Sequence, residues 1–340
     1  MSFLAEASRY RWQDLLATAP HDFYARPDVV ALEAKWLDCH TEAFFYGDSL
    51  VPLLVRTLPE PFALEGYDAV SPYGYPGVVS ASRDGAAETV RAFQAAGAAR
   101  GLVSTFLRLH PVLNEGLEEA LVDVKDLQTV SNGTTLAINL AHAEEEWLAS
   151  LKPSSRYELR QLEKRGYEVK QDAEGSEKVF SSLYRQTMQR IGAHASYLYD
   201  DTYLHRLIQV LGDEATVLVV EAPDGNPACA GLFVQTGDIV QYHLSGSDAR
   251  YRKFSPTRLM LSAARQWASQ RGACLLHLGG GVGGQEDSLF AFKKDLCDVS
   301  FRYTTVRVIH DARRYEILAR RRAEEQGKPL REDYFPAYRQ

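Results

Sequence analysis

Three groups of residues in this chain have types and spacings that could do chemistry. Arg156, Arg160 and Lys164 recur every four residues, with Arg165 beside them. On a helix they share one face. Such a basic stripe suits a diphosphate or an RNA backbone; balanced by Glu158 and Glu163, it would instead be a solvated surface. Within it, Arg156 and Arg160 are the candidate phosphate ligands. The second group is Leu-Phe-Ala-Phe-Lys-Lys at 289–294, where Lys293 follows Phe292. Forming an amide from an activated ester or thioester needs no enzyme nucleophile. It needs a neutral amine held near the carbonyl and a charge that stabilises the developing oxyanion. A cation at the end of a rigid element would supply that charge, worth about 10²–10³ in rate; the alternative for Lys293 and Lys294 is a solvated helix end. The third group lies on a strand over 239–245. Its alternation puts Val240, Tyr242 and Leu244 on one face and Gln241, His243 and Ser245 on the other. Tyr242 is then a site tyrosine or a core aromatic, and His243 a general base or a structural histidine.

Two loops add candidates. Residues 71–77, Ser-Pro-Tyr-Gly-Tyr-Pro-Gly, carry Tyr73 and Tyr75. They either line an acceptor cleft between domains or pack their rings into a rigid turn. Residues 279–284, Gly-Gly-Gly-Val-Gly-Gly, follow a strand but lack the Lys and Ser/Thr spacing of a P-loop.

Elements must position these residues. The spacing of Val29, Leu32, Trp36, Leu37, Cys39 and Phe44 predicts a helix over 28–44. A strand is expected over 50–58, a Gly- and Pro-rich loop over 67–77, an Ala-rich helix over 85–98 and strands over 101–109 and 136–140. Helical pieces over 144–151 and 154–165 break at Pro153, with Ser154 or Ser155 as cap. Then follow a strand (167–171), two helices (176–191 and 201–211) and strands at 215–222, 228–236 and 239–245, the last two a hairpin through Gly237-Asp238. A helix over 257–271, capped by Ser255, a strand over 274–278, a strand over 301–309 and a charged helix over 312–325 complete the chain.

Composition narrows the class. The chain has 340 residues, 45% hydrophobic and 24% charged, which is enough for two domains. A net charge of -7 gives no global field toward nucleic acid, so DNA is not an expected partner and any RNA contact is local. Four scattered cysteines form no C-x-x-C pair, so no metal is expected and a reducing compartment fits. No apolar run reaches the roughly 20 residues of a membrane span, and the N-terminus has no signal-peptide pattern. A cytoplasmic location is expected.

The order strand, loop, helix, strand, short helix across 239–294 is that of the acyltransfer half of a GNAT-like fold. Four stretches of the second half resemble the Fem family of aminoacyl-tRNA-dependent peptidoglycan-bridge enzymes: the basic helix 155–166, residues 183–190, residues 242–256, and the Phe-Lys of 289–294. The resemblance implies an α/β fold with mixed sheets: two tandem GNAT-like domains at 1–150 and 151–310, and a C-terminal helix and tail at 311–340 packing back on the first. It implies catalytic roles for Lys293 and Tyr242, and substrate contacts for Phe292 and for Arg252 in the loop. Residues 156–200 leave no room for the coiled-coil arm of some members. An ordinary acetyltransferase has a glycine-rich turn where this chain has Arg-Lys-Phe-Ser-Pro at 252–256. The expected activity is therefore N-acyl transfer to a primary amine such as a cell-wall precursor or peptide. Aminoacyl-tRNA is placed ahead of acyl-coenzyme A as donor, with a co-substrate but no tightly bound cofactor. A non-catalytic GNAT-like binding module is the rival from another class.

Overall fold

The computed structural model describes residues 2–5 and 9–340. In chain order the elements are β1 (Ser2–Ala5), α1 (Arg9–Leu16), α2 (Pro27–Trp36), β2 (His40–Tyr46), β3 (Ser49–Thr57), β4 (Tyr67–Val70), α3 (Arg83–Arg100), β5 (Leu102–Arg108) and β6 (Leu127–Asn139). There follow α4 (Glu144–Ser150), α5 (Pro153–Lys164), β7 (Glu168–Gln171), α6 (Ser176–Arg190), α7 (Asp201–Leu211), β8 (Ala215–Glu221), β9 (Pro227–Thr236) and β10 (Ile239–Ser247). The last are α8 (Thr257–Gln270), β11 (Leu275–Gly279), α9 (Ser288–Lys294), β12 (Val299–Ile309) and α10 (Ala312–Gln326).

The chain forms two compact units, residues 1–133 with 302–340, and residues 134–301. These divisions differ from the expected 150 and 310. They fall inside the long strands β6 and β12; the first lies at Asn132-Gly133, with Gly133 at φ 92° inside β6, whereas the reading by Pro153 placed the junction further on.

In the first unit β1, β2, β3 and β4 pair antiparallel in that order, β4 pairs parallel with β5, and β5 pairs antiparallel with residues 305–309 of β12. The apolar run of β3 is buried on both faces, as a central strand requires. Val51, Leu53 and Val55 join Val90 and Phe93 of α3 in one cluster, while Leu50 and Leu54 join Trp12, Val30 and Ala34 of α1 and α2 in another. Helix α10 packs through Leu318 against Leu58, Phe62, Val103 and Tyr338.

The second unit repeats the pairing scheme. β7, β8, β9 and β10 pair antiparallel, β10 pairs parallel with β11, and β11 pairs antiparallel with residues 136–139 of β6. Trp147 of α4, Leu159 and Leu162 of α5, and Met260 and Ala264 of α8 cover one face of the sheet through Leu218, Val220, Val240 and Leu276. Helix α6 packs against β8, β9 and β10. At its tightest point Gly246 meets the backbone of Leu183, where an added Cβ would lie 2.2 Å from the carbonyl carbon.

Several expectations need correction. The helix predicted over 28–44 ends at Trp36, because Asp38 adopts φ 51° and the chain turns into β2. Phe44 and Phe45 are strand residues buried completely, so their apolar spacing reported a sheet rather than a helix. The first four residues of the loop 67–77 form β4. Neither Ser154 nor Ser155 caps α5, which starts at Pro153 after Lys152. Ser255 takes a left-handed conformation, φ 56°, and the position before α8 belongs to Pro256.

Candidate active site

The parallel pair β10–β11 is short. Its register runs Ile239–Leu275, Val240–Leu276 and Gln241–His277, and extends no further. At that level each strand also carries an irregularity on its other side. β10 bulges at His243, between the pairs Tyr242–Phe233 and Leu244–Leu232. β11 shifts at Leu278, between His277–Ala137 and Gly279–Leu136. A bulge bends its strand and breaks the ladder locally, so two bulges at one level let the strands part. The last pair before the opening is closed by His277 Nδ1 and Gln241 Oε1 at 2.7 Å, both residues buried.

Lys293 occupies the opening. It belongs to α9, a seven-residue helix capped by Asp287, whose Oδ1 accepts from Phe290 N at 2.9 Å and Oδ2 from Val282 N at 3.2 Å. The glycines before α9 permit this fold-back, since a Cβ on Gly281 would lie 2.0 Å from Gln285 O. Lys293 is buried, and its Nζ donates to the carbonyl of Gly280, just past β11, at 2.7 Å. The same Nζ lies 6.0 Å from the centre of the Tyr242 ring on β10. Burial pushes the Lys293 ammonium down to about 8, opposed by Cys297 and Asp287.

Tyr242 stacks on Phe233 with ring centres 5.2 Å apart, and its hydroxyl donates to Ser245 Oγ at 2.6 Å. Burial pushes the phenol well above its ordinary value. Tyr242 is therefore a proton-bearing donor, not a base. Burial pushes His243 down to about 3, which makes it a poor proton acceptor at neutral pH. The arrangement is a buried cation, a protonated phenol and a serine hydroxyl around a gap between two strands. It suits stabilisation of negative charge on oxygen.

Residues 149–294 match the family described as acetyltransferase (GNAT) domain. That match lies wholly within the second unit and spans most of it. Over its whole length the chain is similar to the crystal structure of FemX, with a TM-score of 0.69 and 14% identity over 93% of this chain and 99% of that one. It is also similar to the DUF2156 domain of an Agrobacterium fabrum protein named for lysylphosphatidylglycerol synthetase (TM-score 0.60, 13% identity, 92% of this chain and 94% of that one). A third likeness is to L-PGS from Bacillus licheniformis, at TM-score 0.57 and 12% identity over 89% of this chain and 92% of that one. No curated protein sequence matches the chain. The fold is thus like that of FemX, with one strand-pairing scheme used twice. Among the described residues no helix is long and apolar enough to cross a membrane.

The second unit brings Lys293 and Tyr242 together. The other site candidates make other contacts. Phe292 packs against the core, with the Arg258 guanidinium over its ring at 4.9 Å, so it faces protein. Arg156 donates from Nη1 to the carbonyls of Ala149 and Leu151 at 2.6 Å each. It thereby satisfies the open C-terminus of α4, a role the basic spacing concealed. Arg160 is exposed and, with Arg156 and Glu163, lines a cavity of about 310 Å³ between α4, α5 and α8. Arg252 is exposed in the short turn before α8. Tyr73 and Tyr75 belong to the first unit. The Tyr73 amide donates to Glu33, and the Tyr75 ring meets Tyr303 edge-on at 5.1 Å and Tyr24 at 6.1 Å. The Tyr75 ring thus packs against aromatic residues of its own unit.

Sequence reasoning flagged the glycine run holding Gly280 and placed Ser245 on a strand face, but it foresaw neither the Gly280 carbonyl as acceptor nor Ser245 as the Tyr242 partner, and it missed Arg258. A carbonyl acceptor has no sequence signal. Ser245 could have been noticed, because a serine three residues after a site tyrosine can meet it only across a bulge.

Proposed function

We propose that the chain forms amide bonds, moving an aminoacyl group from charged tRNA to the primary amine of a cell-wall precursor or peptide. Lys293 acts as the cation that stabilises the tetrahedral oxyanion, and Tyr242 as a neighbouring hydrogen-bond donor. The observation that carries this reading is the buried Lys293 ammonium between Gly280 and Tyr242, where β10 and β11 part. In the reaction the neutral amine attacks the ester carbonyl, the C–N bond forms as the carbonyl oxygen gains charge, and the ribose oxygen leaves with a proton.

The donor preference is supported by the start of α8. Helix N-termini bind phosphates through free amides. Here the Arg258 amide donates to Ser255 O at 3.0 Å, the Leu259 amide to Pro256 O at 3.1 Å, and the Ser255 amide to Arg252 O at 3.0 Å. Pro256 has no amide to offer. Little is left for the diphosphate of coenzyme A. The name of the Agrobacterium relative also speaks of a lysyl-bearing product. Acyl-coenzyme A is the second reading, favoured by the match to the acetyltransferase family.

Calorimetric titration with acetyl-coenzyme A tests the donor. Weak or absent binding is expected, and low-micromolar affinity transfers the assignment to the thioester. The pH–rate profile tests Lys293. A charged stabiliser loses activity as pH rises through about 8. A rate that instead climbs through the same range makes Lys293 a base and removes its oxyanion role.

A further inference from the structure

Arg258, the second residue of α8, is buried, yet it touches nothing in the reaction set out above. Its guanidinium joins three helices. Nε lies 2.7 Å from Glu158 Oε2 on α5, and Nη1 donates to Ser155 Oγ at 3.3 Å. Nη2 lies 3.4 Å from Asp295 Oδ2, immediately after α9. The guanidinium carbon sits 4.9 Å over the Phe292 ring. Lys152 takes the other Asp295 oxygen at 2.6 Å.

Burying the Arg258 charge beside partly exposed carboxylates gives little net stability, because desolvation offsets the attraction. Position is what it can supply. Helix α9 is two turns long, too short to hold itself. Asp287 fixes its start, and Arg258 fixes its end through Asp295 and Phe292. Phe292 and Lys293 are neighbours separated by about 100° of helix rotation, so a clamped ring at 292 also fixes the direction of the Lys293 side chain. Around Lys293 the facing groups are Asp287 at the start of α9, Cys297 after it, Tyr242 on β10 and the Gly280 carbonyl.

We propose that Arg258 is a positioning residue, which clamps α9 against α5 and α8 so that Lys293 stays buried at Gly280 beside Tyr242. This rests on the reading of Lys293 as the catalytic cation.

The test follows Lys293 directly and needs no substrate. Lysines of the full-length protein are reductively methylated with ¹³C, and the Lys293 signal, identified by its loss in Lys293→Met, is titrated by NMR. Positioning predicts that Arg258→Lys, which keeps the charge but loses the planar fork, raises the Lys293 midpoint by about one pH unit or more, as the ammonium gains solvent. Asp295→Asn is the sharper variant. Loss of a nearby negative charge by itself lowers a lysine midpoint, whereas loss of the clamp raises it. A rise in both variants supports the clamp. A fall in Asp295→Asn, or no movement in Arg258→Lys, overturns it and leaves Arg258 as a packing residue. Thermal unfolding checks that each variant is folded, and should Arg258→Lys fail to fold, Asp295→Asn decides. Failure here leaves the role of Lys293 untouched, since that is read from the rate of Lys293→Met.

Discussion

After Val70 the parallel pair β4–β5 of the first unit stays laced. The Ser71 amide donates to Phe106 O at 2.9 Å, the Arg108 amide to Ser71 Oγ at 2.9 Å, and Arg108 Nη1 to Ser71 O at 2.7 Å. Glu33 holds the loop further out by accepting from the Tyr73 amide at 2.8 Å. After Gln241 the parallel register of the corresponding pair β10–β11 of the second unit ends, and Lys293 reaches the Gly280 carbonyl just past β11. The segment after β5 carries Glu118 and Glu119 on a short 3-10 turn, where the segment after β11 carries Lys293. One pairing scheme thus serves twice, once laced past its parallel pair and once with Lys293 there. On the proposed reading, fold is repeated while function is placed in one copy, as when sites are grafted on scaffolds.

The comparison breaks most readily at Lys293. Lys293→Met should lower kcat by about 10²-fold or more with a smaller change in KM, because an oxyanion exists only in the transition state. Lys294→Met should do far less, since Lys294 is exposed and points away. Steady-state kinetics with the active donor compares the two, and equal small losses would erase the distinction between the units.

The two units should also differ in the pH range over which they strain the fold. Lys293 falls from 10.5 to about 8 on burial. Below pH 8 both states are protonated and the native state bears the full penalty. Between 8 and 10.5 the native state gives up its proton first, so wild type gains about 3 kcal/mol relative to Lys293→Met. Glu33 moves the other way, from 4.5 to about 7 by burial, with the Tyr73 amide and Arg108 opposing. Its penalty is absent below 4.5 and complete above 7, so wild type loses about 3 kcal/mol relative to Glu33→Gln as pH rises through that window. Denaturant unfolding of each pair across pH 4–11 reads both slopes, and a flat difference for either denies that burial.

Smaller effects sharpen the picture. Gly246→Ala should cost about 1–3 kcal/mol, because the new methyl meets backbone that cannot turn aside. Arg156→Ala should cost about 1 kcal/mol through the carbonyls it leaves at α4. Arg160→Ala should change stability by less than about 0.5 kcal/mol and lower the salt slope of tRNA binding by about one contact. Equal salt slopes for wild type and Arg160→Ala would leave that helix a solvated face.

Much of the scaffold was readable from the chain. Continuous apolar runs announce β3, β8 and β9, the turn Gly237-Asp238 announces the hairpin, and Asp200 announces α7 through its cap on Tyr203. Phe292-Lys293 marked the cation as a candidate, and the structure puts Lys293 near Tyr242. What escaped was long-range. Arg156 and Arg258 look like any surface arginine in a charged stretch, and only the folded backbone shows that one closes a helix and the other is buried between helices. Phe44 fits a helical period by coincidence, because a strand buried on both faces has no period of its own.

The first unit is assembled from both ends of the chain, with β12 and α10 supplied by residues 302–340. During synthesis the ribosome delivers the whole second unit while its companion still lacks an edge strand for β5 and the cover that Leu318 and Tyr338 give to Val103. The second unit can therefore close early, in keeping with units folding as they emerge. The first unit waits until residues 302–340 have left the ribosome, and β5 stays open until then.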